Sequence, residues 1–237
     1  MTVSGTINKS LVLLALLLVT AAWVWGMVIQ PSTQVLGYEQ ASAMQRTPAM
    51  AFPFITGGLI FGIIAAFVTI FKKTWAPVTA PVYALAEGLV LGGISAIFEL
   101  SYPGIVAQAV ALTFGTLFCL LMAYKFRIIR VTEKFRLGVF AATAAIGLVY
   151  LVSWILGFFN VAVPYIHQGG VIGIGFSLFV VGIAALNLVL DFDLIEQGAE
   201  SGAPKYMEWY GAFALMVTLI WLYMEILRLL AKLRGRD

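Results

Sequence analysis

The chain has 237 residues, 62% hydrophobic and only 11% charged, with a formal net charge of +3 and a mean hydropathy of +1.01. Soluble domains are about half apolar and roughly a quarter charged, so this composition excludes a soluble globular domain and calls for lipid as the solvent of the outer faces. The few basic residues lie beside apolar segments, a pattern that suits membrane orientation and argues against nucleic-acid binding.

A spanning helix needs about twenty mainly apolar residues. Seven segments qualify, and in chain order they run from about Ser10 to Gln30, Phe52 to Phe71, Thr79 to Phe98, Gly104 to Tyr124, Leu137 to Phe159, Gly169 to Leu190 and Tyr210 to Ala231. The first follows a basic residue, Lys9, but is longer than the roughly 7–15 residues of a signal-peptide core, so it reads as a retained helix. Pro31 to Ala51 is the one connection long enough for a real loop, polar and holding Pro31, Gly37, Glu39, Arg46 and Pro48. No soluble domain, low-complexity tract or fixed-period repeat is visible. Residues 1–237 therefore read as a single polytopic, all-α integral membrane domain.

Lysine and arginine set orientation. With seven spans, one side receives Lys9, Lys72, Lys73, Lys125, Arg127, Arg130, Lys134, Arg136 and Lys205; the other receives Arg46, Arg228, Lys232, Arg234 and Arg236. The larger group puts the N-terminus in the cytoplasm of a cell (inner) membrane, although the basic tail pulls the other way. The cluster from Lys125 to Arg136 is the strongest single signal.

Little points to enzyme chemistry. The single cysteine, Cys119, lies in an apolar run and reads as a buried small hydrophobe. The single histidine, His167, sits in a loop with Pro164 and Gly169, which argues against histidine-based zinc. No Gly-x-Ser-x-Gly elbow, His-Glu-x-x-His motif or phosphate-binding glycine loop is present. The expectation is a non-enzyme with no cofactor. A transporter built of two similar halves is disfavoured by the lack of an internal repeat. Trp23, Trp75, Trp154 and Trp209 fit an interfacial aromatic belt.

Charged residues inside a bilayer are costly and mark candidate sites. Glu87 lies midway along segment three, Asp191 and Asp193 end segment six, and Glu225 lies deep in segment seven with Arg228 three residues later. Glu225 and Arg228 share a helix face. They form an internal pair, or the arginine serves carboxylates on another helix. Thr218, Trp221 and Lys232 fall near the same stripe. Asn187 and Asp191 share a face, whereas Asp191 and Asp193 point roughly opposite ways, so one faces the bundle and the other cytoplasmic water. The spacings Gly88/Gly92 and Gly169/Gly173 suit close packing and make segments three and six interior. A carboxylate held in a low-dielectric bundle responds to proton concentration and, when ionised, can hold a hard cation such as calcium.

The end of segment six, Leu190-Asp191-Phe192-Asp193-Leu194-Ile195, resembles the Asp-x-polar-x-Ile end of the sixth helix in the Bax inhibitor/YccA family. Segment seven, with Leu222-Tyr223-Met224-Glu225-Ile226, is similar to that family's final helix, and Ala86-Glu87-Gly88 with Leu91-Gly92 to its third. The resemblance, to the bacterial branch, spans the whole chain. It implies six helices around a central seventh. It also implies a pair of acids, Asp191 and Glu225, acting as a pH-sensitive gate for calcium leak and as transient calcium ligands, with Asp193 an alternative for the first acid. This chain departs from the pattern in carrying Glu in helix seven and Arg228 one turn later. Some bacterial members are linked to a membrane-bound quality-control protease, which implies an alternative role as a membrane interaction protein.

Overall fold

The computed structural model describes residues 1–29, 39–159 and 170–235, apart from the side chains of 39–49 and 158. The helices are α1 (Val3–Val28), α2 (Glu39–Phe71), α3 (Ala76–Ser101), α4 (Ile105–Lys125), α5 (Glu133–Phe158), α6 (Val171–Glu200) and α7 (Met207–Arg234), with a 3-10 turn at Lys73–Trp75. All seven are long and apolar enough to cross a membrane, and no strand occurs among the described residues.

Local chemistry sets the ends. Thr2 caps α1 by accepting from the Gly5 N–H at 3.0 Å, and Thr132 caps α5 by accepting from the Phe135 N–H at 3.2 Å. Pro77 stands in the first turn of α3, where its missing N–H leaves no helical bond unmade. The turns after α3 and α6 require a left-handed backbone, supplied by Gly104 (φ +80°) and Gly202 (φ +64°). The helices run past the predicted spans because capped polar turns extend them beyond the hydrocarbon. The expected loop from Pro31 to Ala51 differs most: residues 39–51 are the first turns of α2, and residues 31–38 lie outside the described set. Glu39, Gln40 and Gln45 are sound helix formers despite their polarity, so polarity alone misleads there.

The chain forms two compact units. The first comprises Met1–Gly104 and Ile195–Met216; the second comprises Ile105–Leu194 and Val217–Asp237. In the first, α3 packs against α1 and α2. A Cβ on Gly92 would lie 2.5 Å from the Ala21 carbonyl oxygen, and one on Gly88 would overlap Thr20 and the Leu17 carbonyl. The Gly88/Gly92 spacing thus lets α1 lie against the α3 backbone. Gly58 of α2 does the same for Ala86, whose carbonyl oxygen would be 2.6 Å from an added Cβ. Val24, Val28, Ala51 and Ala96 form a fully buried cluster in this unit. The most buried span is α3, as its glycines predict, but α7 rather than α6 comes next. Gly169, half of the predicted second glycine pair, lies outside the described residues, as do His167 and Pro164. Cys119 is exposed on α4, contrary to the expected burial, because little of that span is covered by protein.

Candidate functional site

In the second unit, one stripe of α7 carries Thr218, Glu225 and Lys232, spaced by seven residues and so on one face. Each meets α5 or α6. The Thr218 hydroxyl donates to the Asp191 carboxylate on α6. Glu225 is 1% exposed, and its Oε1 accepts from the Tyr150 hydroxyl of α5 at 2.9 Å and from Arg228 Nη1 at 2.8 Å. Arg228 Nη1 also donates to the Tyr150 oxygen at 3.0 Å, and its guanidinium lies 5.4 Å from the Tyr150 ring centre. Tyr150 is in turn held edge-on by Phe176 of α6. Lys232 is buried, and its ammonium donates to Ser177 Oγ at 2.8 Å and to the Gly173 carbonyl at 3.1 Å.

These contacts leave two atoms unmet. Asp191 Oδ2 and Glu225 Oε2 are the buried side-chain oxygens or nitrogens without a hydrogen-bond partner among the described residues. A buried polar atom without a partner costs about 1–3 kcal/mol, and more when charged. A proton on the oxygen or a cation beside it would remove that cost.

The remaining candidates are placed differently. Asp193 does not simply face water: Arg136 Nη2 of α5 holds its Oδ2 at 2.7 Å, and its side chain is 14% exposed. The i to i+2 offset does turn it from Asp191, but towards α5. Glu87 belongs to the first unit, whereas Asp191, Asp193, Glu225 and Arg228 belong to the second. Glu87 accepts from the Tyr83 hydroxyl one turn earlier, and a Cβ on Gly62 of α2 would lie 3.0 Å from its Oε1. Asn187 donates to Thr143 Oγ1 at 2.8 Å and to the Ile183 carbonyl at 2.9 Å.

Sequence reasoning missed one buried acid. Glu208, at the start of α7 in the first unit, accepts from the Thr2 N–H at 2.9 Å, from Thr2 Oγ1 at 3.1 Å and from the Lys9 ammonium. The available signal was topological, since alternating spans put Lys9 and Glu208 on one side of the membrane. Tyr150 was also missed as the partner of Glu225, and Arg136 was weighed only as an orienting charge.

A family model described as Bax inhibitor 1 like matches residues 1–235. The chain belongs to the Bax inhibitor 1-like family. Comparison with curated proteins and with solved structures gave no match. For this Bax inhibitor 1-like chain, the acid expected on helix six is Asp191, and the α7 residue that bonds it is Thr218. Glu225 lies two turns further along, roughly 10 Å down the axis, with Tyr150 and Arg228 as its partners. Among the described residues no three His, Cys, Asp or Glu side chains gather to hold a metal ion. A resident calcium takes about six to eight oxygens, more than this donor set offers among the described residues.

Proposed function

We propose that the protein is a proton-sensitive cation leak, with calcium as the cation carried, gated by the intramembrane carboxylates of α6 and α7. One observation carries the reading: Asp191 and Glu225 each keep a buried oxygen that no group among the described residues meets. A protonated acid there is neutral and can donate a hydrogen bond. An ionised one presents a charge in a low-dielectric setting, which a hard cation relieves.

Each remaining candidate has a part in this scheme. Thr218 ties Asp191 to α7, so a change in the Asp191 charge acts on the contact between α6 and α7. Arg228 and Tyr150 hold one oxygen of Glu225 and leave the other to the proton or cation. Asp193, through Arg136, fastens the end of α6 to α5. Glu87 offers a further carboxylate on the most buried span. The cell (inner) membrane, with a cytoplasmic N-terminus, is the proposed location, supported by the basic residues that alternation assigns to the N-terminal side.

The test is calcium influx into liposomes carrying the purified protein, read with an entrapped indicator from about pH 6 to pH 8. The reading expects flux above empty liposomes that changes across this range. Flux equal to empty liposomes at every pH would sink it and leave a membrane interaction protein as the role to pursue by crosslinking.

A further inference from the structure

The turn joining α4 to α5, residues 126–132, lies outside both spans. α4 closes with the Ile128 N–H on the Ala123 carbonyl at 2.9 Å, and Arg127 takes a left-handed backbone with φ 56°. Arginine adopts that region rarely. The reversal turns Phe126 and Ile128 outward, 69% and 76% exposed. Beside them Lys125, Arg127, Arg130 and Lys134 are all exposed. None of these four makes an ion pair among the described residues. Several cations elsewhere on the chain are engaged: Lys9 by Glu208, Arg136 by Asp193, and Lys72 and Lys73 over the rings of Trp75 and Tyr210. The nearby acid, Glu133, faces Arg136 at 3.6 Å.

Orientation alone would need the charge but not two exposed apolar side chains at the end of a span. We propose that this turn is a binding site for anionic phospholipid. Phe126 and Ile128 enter the boundary between headgroups and acyl chains, while Lys125, Arg127, Arg130 and Lys134 take the phosphates. Arginine suits this because its planar fork meets phosphate oxygens two at a time. A free phosphate would use the cations and leave the apolar pair in water. An acidic protein segment would match the charge, but the span ends beside the turn put lipid headgroups at its own depth.

The experiment is native mass spectrometry of the purified full chain released from micelles, titrated with phosphatidylglycerol or phosphatidylcholine of equal acyl length. Glycerol phosphate serves as the competing free headgroup. Each cation near an anionic surface contributes about a fivefold gain in affinity, so Lys125→Gln/Arg130→Gln/Lys134→Gln should lose phosphatidylglycerol roughly a hundredfold. That triple variant leaves the strained Arg127 in place, and all three positions are exposed, which protects folding. Phe126→Ser/Ile128→Ser should also weaken retention, and glycerol phosphate should not displace the lipid. Equal retention of the two lipids by wild type, or a triple variant that holds phosphatidylglycerol as wild type does, overturns the site and leaves its cations to an acidic protein. An equal loss in Lys72→Gln/Lys73→Gln makes the effect one of net charge and overturns it as well.

Discussion

Tyr150→Phe removes one hydroxyl and leaves the ring against Phe176 in place. The lost group donates to Glu225 Oε1 at 2.9 Å and accepts from Arg228 at 3.0 Å. Glu225 is 1% exposed and its other oxygen already has no partner, so the carboxylate drops to one donor, Arg228. A hydrogen bond to a charged group contributes about 1.5–3 kcal/mol. No cavity forms, so the expected loss is about 2 kcal/mol. For a chain of this size 1 kcal/mol moves the unfolding midpoint by about 2–4 °C, which predicts a fall of about 4–8 °C in micelles, followed by near-ultraviolet circular dichroism. A double-mutant cycle with Glu225→Gln isolates the pair and should show coupling above about 0.5 kcal/mol. A midpoint within about 1 °C of wild type, with additive single and double variants, would refute the claim that Tyr150 supports Glu225.

Gly92→Ala should destabilise by about 1–3 kcal/mol, because its Cβ meets the Ala21 backbone, whereas Gly115→Ala, with nothing within 4 Å, should be tolerated; thermal unfolding of the two variants side by side checks this. Glu208→Gln should loosen the start of α1, seen as faster hydrogen exchange at residues 2–9, since it weakens a buried acceptor for Thr2 and Lys9; unchanged exchange would contradict it. Arg136→Gln should have an effect on stability that fades as salt is added, because its guanidinium is part-exposed at 41%; a loss indifferent to salt would show that the pair with Asp193 is shielded.

Composition and run length were enough to place seven spans, since a bilayer leaves few ways to satisfy a backbone. Helix spacing likewise offered the Glu225–Arg228 pair as one of two arrangements, because i to i+3 contact is local geometry, and the pair forms at 2.8 Å. The partners across helices were not legible. That Thr218 meets Asp191, Tyr150 meets Glu225 and Arg136 meets Asp193 depends on how neighbouring helices rotate. Gly88 and Gly92 announced the packing of α3, since a missing Cβ is itself a sequence signal. The two unmet oxygens could be found only after every neighbouring donor had been placed.

The proposed leak requires Asp191 and Glu225 to act as proton- and cation-responsive groups. The most direct measurement is calcium influx into liposomes across about pH 6 to 8 for wild type, Asp191→Asn and Glu225→Gln, with each variant shown to be folded by its elution profile. The expected result is a pH-dependent flux in wild type whose profile either neutral variant flattens or displaces. A wild-type profile reproduced unchanged by both folded variants would contradict it.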